Sequence, residues 1–451
     1  MAGVRRNLFG SAYLTGANLA SQLVLVPVYL HFWGAETYGH WLVLFTVPAL
    51  FVFTDIGLSN VVGNAVTLEV ERGRADKAQA CFNAAWKYQL VGFSLVLGIC
   101  CAGASVFPVR SWLGVEDVPW REFFPTVVLL CGYTLVWMQI GLVGALYRAA
   151  RRVPEFLSVN AHTRLAEVGC VTLVLFADGG FIAVSGGLFC VRLAGAIFQY
   201  SRAKSALPAV RLSLFEGRWE DLKALLPTGV AYLSFPVSNA LMNQGTVLAV
   251  NHLLGAPAVV ALSVCRQLAR FFTHGTGMLT TAIQPEMTVA CASQDRSRIR
   301  DLQSVAVMIP MLAGAPFVVA ATLIGPEIVE WWTRKDLGIE WILCIACSIE
   351  AVTFGATTLA CLVCWATNRV GQLSKIYLVV NVVALLVGGG LTSVFGLLAI
   401  PGAFALANSV YCFAGLLHGA RAESFSVWTL FSLRGLARVF REGFGKTVIG
   451  T

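Results

Sequence analysis

The stretch VVALSVCRQLARFFTHGTGML, residues 259 to 279, has the length and apolarity of a membrane-buried helix, yet it contains two arginines. About 20 apolar residues are enough to span a bilayer. Arg266, Arg270 and His274 recur every fourth residue, so they share one helix face. A charged side chain at the bilayer centre costs roughly 2.5–3.5 kcal/mol even on insertion scales. The stretch therefore predicts a membrane helix whose charged face meets a partner or a water-filled cavity.

The composition of the whole chain agrees with a membrane protein. Of 451 residues, 57% are hydrophobic and 12% are charged, and the mean hydropathy of +0.74 lies outside the range of soluble domains. We predict an all-α polytopic membrane protein whose first helix is retained as an anchor. Twelve transmembrane helices are expected, near residues 8–32, 38–68, 78–106, 122–147, 155–176, 180–201, 227–251, 257–290, 302–326, 340–367, 373–395 and 398–420.

The distribution of Lys and Arg predicts the orientation. Alternate connections are rich in these residues, whereas the opposite set of loops holds only Arg110, Arg121, Arg334 and Lys335. By the positive-inside rule, both termini face the cytoplasm. The formal net charge of +8 mostly reflects this sidedness, so no nucleic-acid partner is expected.

The longest inner connection divides the predicted spans into two sets of six. Its sequence RLSLFEGRWEDLKALLP, residues 211–227, places Leu212, Phe215, Trp219 and Leu222 at helical spacing among charges, which predicts an amphipathic helix on the inner leaflet. The predicted domains are two six-helix lobes, residues 1–204 and 227–420, a linker at 205–226 and a basic interfacial tail at 421–451.

The two lobes show signs of an internal duplication. Aligning residues 16–35 with 237–256 pairs Asn18 with Asn239, Val26 with Val247, His31 with His252, Gly34 with Gly255 and Ala35 with Ala256. Both segments open the first span of their half in the same orientation. A parallel repeat with a central cavity between its lobes is an architecture that secondary transporters use.

The thirteen cysteines include two CxxC pairs, Cys344 with Cys347 and Cys361 with Cys364. A zinc site needs ligands that converge from turns, whereas both pairs lie in one continuous apolar helix. We interpret them as small packing residues and expect no metal and no cofactor.

Six ionisable residues fall near the middle of predicted spans: Lys87, Arg164, Arg192, Arg266, Arg270 and Glu350. Arg164 and Glu167 are three apart and either neutralise each other or serve a ligand. Arg192 either caps carbonyls of a neighbouring helix or lines the cavity. Arg266 and Arg270 have no acidic neighbour one turn away, so an anion or a distant carboxylate must join them. Arginine suits a diphosphate because its planar fork binds phosphate oxygens in pairs.

Two acidic residues and a set of amides complete the candidate site. Glu350 either pairs with an arginine or carries a coupling ion, and Asp55 lies near the inner face, where a helix-end role is favoured. The amides give each half a polar stripe that serves either as interhelical contact or for sugar recognition: Asn18, Gln22, Asn239 and Asn243.

Residues 26–78 resemble the opening of Wzx-type polysaccharide flippases of the multidrug/oligosaccharidyl-lipid/polysaccharide (MOP) exporter superfamily, which share the MATE-like fold. One block holds Gly34, Glu36, Tyr38, Gly39 and Trp41; a second holds Asp55, Ile56, Gly57 and Leu58; and the turn ERGRADKA follows. The resemblance covers only about the first two spans.

This resemblance implies two six-helix lobes, alternating access and export of an undecaprenyl-diphosphate-linked oligosaccharide, with spans one, two, seven and eight lining the cavity. Arg266 and Arg270 then fall on a lining helix, where they would hold the diphosphate while the lipid tail stays in the membrane lipid. The polymerase and chain-length proteins of the same pathway are the expected partners.

Two other functions stay open. A drug or cation antiporter of the same fold would use mid-membrane carboxylates, of which the sequence offers few. An integral-membrane polymerase or ligase would need a large outer loop, whereas the longest predicted outer loops, near 107–121 and 325–339, have only about fifteen residues. No nucleotide-binding or metal motif is present in the sequence, so we expect a transporter and not an enzyme.

Overall fold

A computed structural model describes residues 2–51, 58–104, 106–208, 210–213, 217–223, 234–367 and 371–423, together with Ser426 and Leu430. Within these ranges the chain forms helices and turns and contains no strand. Asp55 and most of the predicted basic tail lie outside the described residues. The chain forms two compact units, Met1–Ala240 and Leu241–Thr451. The predicted lobe boundary at residue 227 falls in the undescribed range 224–233 and stays a prediction.

The first unit consists of long helices joined by short turns. Its helices are α1 (Ala2–Leu50), α2 (Leu58–Glu71), α3 (Ala75–Ala104), α4 (Val109–Leu113), α5 (Trp120–Ala149), α6 (Val153–Phe176), α7 (Phe181–Ala206), α8 (Trp219–Lys223) and α9 (Ser234–Ala240).

The second unit begins with a π-helical turn, Leu241–Gly245. Its helices are α10 (Thr246–Leu254), α11 (Ala256–Ala292), α12 (Arg296–Thr333), α13 (Trp341–Ala360), α14 (Leu362–Ala366), α15 (Gly371–Phe395) and α16 (Ala399–Glu423), with a 3₁₀ turn at Gly396–Leu398.

Seven described segments are long and apolar enough to cross a membrane. Two of them are long enough for two crossings, since about 20 residues suffice for one. Gly371–Arg421, with 51 residues, contains the predicted spans 373–395 and 398–420, whereas Phe9–Pro48, with 40 residues, contains most of span 8–32 and only the first part of span 38–68. The chain is therefore a multi-pass, all-helical membrane protein. The total of twelve spans and the cytoplasmic termini stay predictions.

Each unit is built around one helix with many buried residues. In the first unit this is α5, whose Leu142, Val143 and Tyr147 pack with Val66 and Phe82 of the neighbouring helices. In the second unit it is α13, which packs against α11, α12 and α16. These two central helices position the charged residues described below.

Small residues allow close contact between helices in both units. A side-chain carbon added at Gly144 would lie 2.9 Å from the ring of Phe156, and one added at Gly314 would lie 2.6 Å from Val352. Small residues at such crossings are the usual way in which membrane helices pack, since lipid tails supply no hydrophobic driving force between helices.

The same backbone break occurs at one matched position in each half of the chain. Gly34 interrupts α1 with φ 73° and ψ 177°, and Gly255 separates α10 from α11 with φ 86° and ψ 171°. This backbone region is essentially reserved for glycine. Because the sequence alignment pairs these two glycines, their shared conformation supports the internal duplication.

The predicted amphipathic linker helix is wrong over the first part of the linker. Residues 211–213 are not helical, and their backbone N–H groups donate to side chains of helices α3 and α7: Arg211 to Gln79 (3.4 Å), Leu212 to Tyr200 (2.9 Å) and Ser213 to Asn83 (3.0 Å). These bonds satisfy donors that a helix would otherwise bond internally. Helix begins only at Trp219, after Gly217 with φ 86°.

The end of the described chain packs within the second unit. Leu430 is fully buried beside Val307, Ala360 and Leu416. The predicted basic helix of the tail lies among residues that the structure does not describe.

Gly255→Ala is expected to lower the free energy of unfolding by about 1–3 kcal/mol, because alanine is strained at this φ and ψ. The added carbon meets only Pro257, at 3.9 Å, so strain and not collision is tested. Thermal unfolding of the purified protein measures the effect. Gly98→Ala on α3 is the control, since nothing lies within 4 Å of the added carbon there. Equal unfolding temperatures for the two variants would contradict the backbone argument.

Candidate functional site

The first unit holds a buried cluster of two arginines and one glutamate. Glu167 of α6 is fully buried and lies 3.0 Å from the Nη1 atom of Arg164 and 2.6 Å from the Nη2 atom of Arg192 on α7. Arg164 and Arg192 each lie about 17 Å along their helices, close to the middle. The cluster has two positive charges and one negative charge, so it retains one net positive charge.

Tyr133 of α5 fixes this cluster to the centre of the unit. Its hydroxyl accepts a hydrogen bond from Arg192 Nη2 at 2.8 Å and donates to Glu167 at 3.4 Å. The Arg192 guanidinium also lies 5.0 Å from the centroid of the Tyr133 ring, which adds a cation–π contact. Arg192 therefore contacts a carboxylate and a phenol. The alternative that it caps carbonyl groups of a neighbouring helix is not seen among the described residues. Nothing in the sequence spacing indicated Tyr133.

Arg164 is the exposed member of the cluster. Its side chain is 28% exposed, whereas that of Arg192 is 6% exposed. Among the described residues Arg164 uses only Nη1, for Glu167. Its Nε and Nη2 are therefore available to a ligand.

A cavity of about 520 Å³ lies next to Arg164 within the first unit. Its lining combines guanidinium, amide and aromatic groups: Asn18, Tyr133, Trp137, Asn160, Arg164 and Arg192. The volume falls within the range of sites for small ligands. The structure thus brings together Asn18, Arg164 and Arg192 from the predicted set, and it adds Trp137 and Asn160, which the sequence analysis missed.

The second unit holds a closed ion pair. Arg266 of α11 donates from Nε and Nη2 to the two carboxylate oxygens of Glu350 on α13, at 2.9 and 2.7 Å. The two side chains are 11% and 7% exposed. A distant carboxylate was one of the two alternatives that the sequence left open for these arginines, and Glu350 provides it for Arg266. A diphosphate could bind Arg266 through these two nitrogens only by displacing Glu350.

The π-helical turn at Leu241–Gly245 supplies further contacts to the same helix face. The carbonyl oxygen of Met242 accepts from Arg266 Nη1 at 3.2 Å, and the side-chain oxygen of Asn243 accepts from Arg270 Nη2 at 2.9 Å. π-helical turns are rare and often occur at functional sites. Arg266, Arg270 and Glu350 thus form a second cluster with one net positive charge. Because Glu350 neutralises Arg266, the remaining positive charge is that of Arg270.

Among the described residues, Lys87 and Gln22 join neither cluster. Lys87 is half-buried on α3 and forms no ion pair among the described residues. Gln22 is half-buried and Asn239 is exposed. Asp55 lies outside the described residues, so its assigned role stays a prediction.

The CxxC pairs lie in different surroundings. Cys344 lies against Gly325, whereas Cys361 lies against Gly415, and the Cys364 thiol lies 3.9 Å from the Gly415 carbonyl oxygen. The described part of the chain contains no group of three or more His, Cys, Asp or Glu side chains arranged to hold a metal ion.

Solved structures of similar fold are transporters. The outward-facing conformation of a multidrug resistance MATE family transporter of the MOP superfamily matches with 13% identity and a TM-score of 0.66, over 93% of this chain and 94% of that one. The MATE multidrug transporter DinF-BH in complex with R6G matches with 13% identity and a TM-score of 0.69, over 95% and 96%.

A third structure, the Vibrio cholerae MATE transporter VcmN in its bent form, has 13% identity and a TM-score of 0.63, over 94% of this chain and 99% of that one. No protein-family model and no curated protein sequence matches the chain. The chain therefore has the fold of MATE transporters of the MOP superfamily.

Glu350→Gln is expected to lower the free energy of unfolding by about 3–5 kcal/mol, because it leaves the buried Arg266 charge without a carboxylate. The double variant Glu350→Gln with Arg266→Met is expected to recover most of that loss, since both charges are then gone. A double-mutant cycle from unfolding temperatures in one detergent measures the coupling. Additive losses would show that the two side chains contribute independently.

Proposed function

We propose that the protein is a flippase that moves an undecaprenyl-diphosphate-linked oligosaccharide across the bacterial inner membrane by alternating access. The observation that carries this proposal is the excess of positive charge at membrane depth in both units. Arg164 and Arg270 have no carboxylate of their own, since Glu167 is shared with Arg192 and Glu350 is held by Arg266. A site with surplus guanidinium favours an anionic ligand.

The cavity of the first unit supplies the groups that such a substrate needs. The free Nε and Nη2 of Arg164 match two oxygens of one phosphate. Asn18 and Asn160 offer amide groups that hydrogen-bond hydroxyls, and the half-exposed ring of Trp137 offers an apolar surface. A volume of about 520 Å³ suits a diphosphate with its first sugar. The rest of the glycan would need the predicted cavity between the lobes.

In this proposal the ion pairs give each arginine a fixed position. Arg192 and Tyr133 hold Glu167, and Glu167 holds Arg164 through a single nitrogen. The diphosphate can then bind without breaking the cluster. Arg270, held by Asn243, is the corresponding cation in the second unit.

Alternating access is supported by the fold comparison. Solved MATE structures similar to this chain include an inward-facing form, with a TM-score of 0.62, and an outward-facing form, with a TM-score of 0.66. The chain's Gly34 and Gly255 breaks divide the first two helical segments of each half, where a change of helix direction is available without strain.

The alternative is a drug or cation antiporter, which is favoured by the similarity of the fold to multidrug transporters. A cation would have to bind a carboxylate at membrane depth. Glu167 and Glu350 are at most 7% exposed and already contact guanidinium groups, so both are poorly placed to accept one. The enzyme alternative finds no support in the fold, because the similar structures are transporters.

Arg164→Ala is expected to reduce transport roughly 10- to 100-fold, because a hydrogen bond to a charged group contributes about 1.5–3 kcal/mol. In this variant Glu167 still forms its ion pair with Arg192, so the protein should still fold. The measurement is the amount of lipid-linked repeat unit retained on the inner leaflet of cells that produce only the variant. Arg164→Lys should give an intermediate value, because it keeps the charge but loses the planar fork.

Arg72→Ala, at an exposed turn with 53% side-chain exposure, is the matched control and should transport normally. The antiporter alternative predicts a different pattern. Under it, Arg164→Ala and Arg266→Ala leave transport intact, whereas Glu350→Gln abolishes it at equal protein levels. That pattern would overturn the flippase proposal.

A further inference from the structure

A second hollow lies in the connection between α3 and α5, and its lining contains none of the residues of the charge clusters. It has a volume of about 580 Å³ and its lining includes Phe107, Arg110, Ser111, Glu116 and Trp120. The positive-inside rule predicts that this connection faces the outside of the cell. Neither the charge clusters nor the cavity of the first unit uses any of these residues.

The connection is folded around its own arginine. The Nη1 atom of Arg110 donates to the carbonyl oxygens of Val118 at 3.0 Å and Glu116 at 3.4 Å. Val115 and Val118 are buried and anchor the loop. Arg110 makes no other side-chain hydrogen bond among the described residues, so its Nε and Nη2 are held in position without a protein partner.

Two further groups in the hollow are open to a ligand. Trp120 is 40% exposed and is held by stacking against Phe123 and Phe124, each with 5.6 Å between ring centroids. The carboxylate of Glu116 is exposed and forms no ion pair in the described part of the chain. An aromatic belt at the membrane interface accounts for the tryptophan, but it does not account for a concave surface with unpaired donors and acceptors.

The charges identify the class of ligand. The charged residues in the lining are one arginine and one glutamate, Arg110 and Glu116, so the hollow has no net positive charge that would favour an anion such as a phosphate. A fixed arginine beside a carboxylate matches the neighbouring hydroxyls of a sugar, which both donate and accept hydrogen bonds. The ring of Trp120 matches the apolar C–H face of a pyranose. We propose that this hollow binds one or two uncharged sugar units of a glycan on the outer face of the membrane.

The role of such a site rests on the proposed function, since a flippase delivers a glycan to that face. The existence of the site does not rest on the proposed function, because binding of free sugars is enough to detect it. The test uses the full-length protein in phospholipid nanodiscs free of sugar-based detergent, because a maltoside would compete. Saturation-transfer NMR then records binding of the methyl glycosides of glucose, galactose, mannose, rhamnose and N-acetylglucosamine.

Trp120→Ala is expected to reduce the saturation-transfer signal of at least one glycoside about fivefold or more, and Trp120→Phe is expected to restore part of it. Glu116→Gln should weaken the same glycoside while leaving the unfolding temperature unchanged, because the side chain is exposed. Trp331→Ala is the matched control, since Trp331 is 72% exposed in the other long predicted outer connection. The part of the signal that depends on Trp120 should persist in Arg164→Ala, because Arg164 does not line this hollow.

The proposal is overturned if no glycoside gives a signal that depends on Trp120. It is equally overturned if Trp331→Ala causes the same loss, because the contact is then a general property of interfacial tryptophans. Loss of transport in Arg164→Ala with intact sugar binding supports both proposals. Intact transport in Arg164→Ala with Trp120-dependent sugar binding supports this site and removes the flippase assignment.

Discussion

The pairing of guanidinium with carboxylate inside the membrane is the constraint on which this structure depends. Burying an isolated charge is costly, and removal of one partner leaves the other uncompensated. Glu167 joins α6 to α7, and Glu350 joins α13 to α11. Each glutamate therefore sets the distance and rotation between two helices as well as balancing charge. The central helix of each unit takes part. In the first unit α5 contributes Tyr133, and in the second unit α13 contributes Glu350 itself.

Because each cluster contains one more arginine than glutamate, the proposed function assigns structure and recognition to different members of the same group. Arg192 and Arg266 are the structural members, since both are nearly buried and both contact a carboxylate. Arg164 and Arg270 keep donors that the protein does not fully use. In the proposal, the ligand can therefore bind and leave without breaking either buried ion pair.

Much of the fold could be predicted from the sequence, because hydropathy reports directly on burial in lipid. The alignment of Gly34 with Gly255 pairs two positions that share one backbone geometry in the structure. The spacing of three residues offered Glu167 as a partner of Arg164, but it could not show which arginine Glu350 contacts, because Arg266 and Glu350 are 84 residues apart. The predicted helix at the start of the linker was wrong for another reason. Side chains of neighbouring helices, such as Asn83, accept hydrogen bonds from its backbone N–H groups, and helical periodicity in the sequence does not reveal such acceptors.

The equivalent glycines and the non-equivalent charge clusters have an evolutionary consequence. Gly34 and Gly255 occupy the same place in the two halves, as inheritance from one ancestral half-chain requires. The glutamates do not, because Glu167 belongs to the fifth predicted span of its half and Glu350 to the fourth of its own. Under the predicted duplication, the backbone break is common to both halves, whereas each half carries its buried glutamate on a different span.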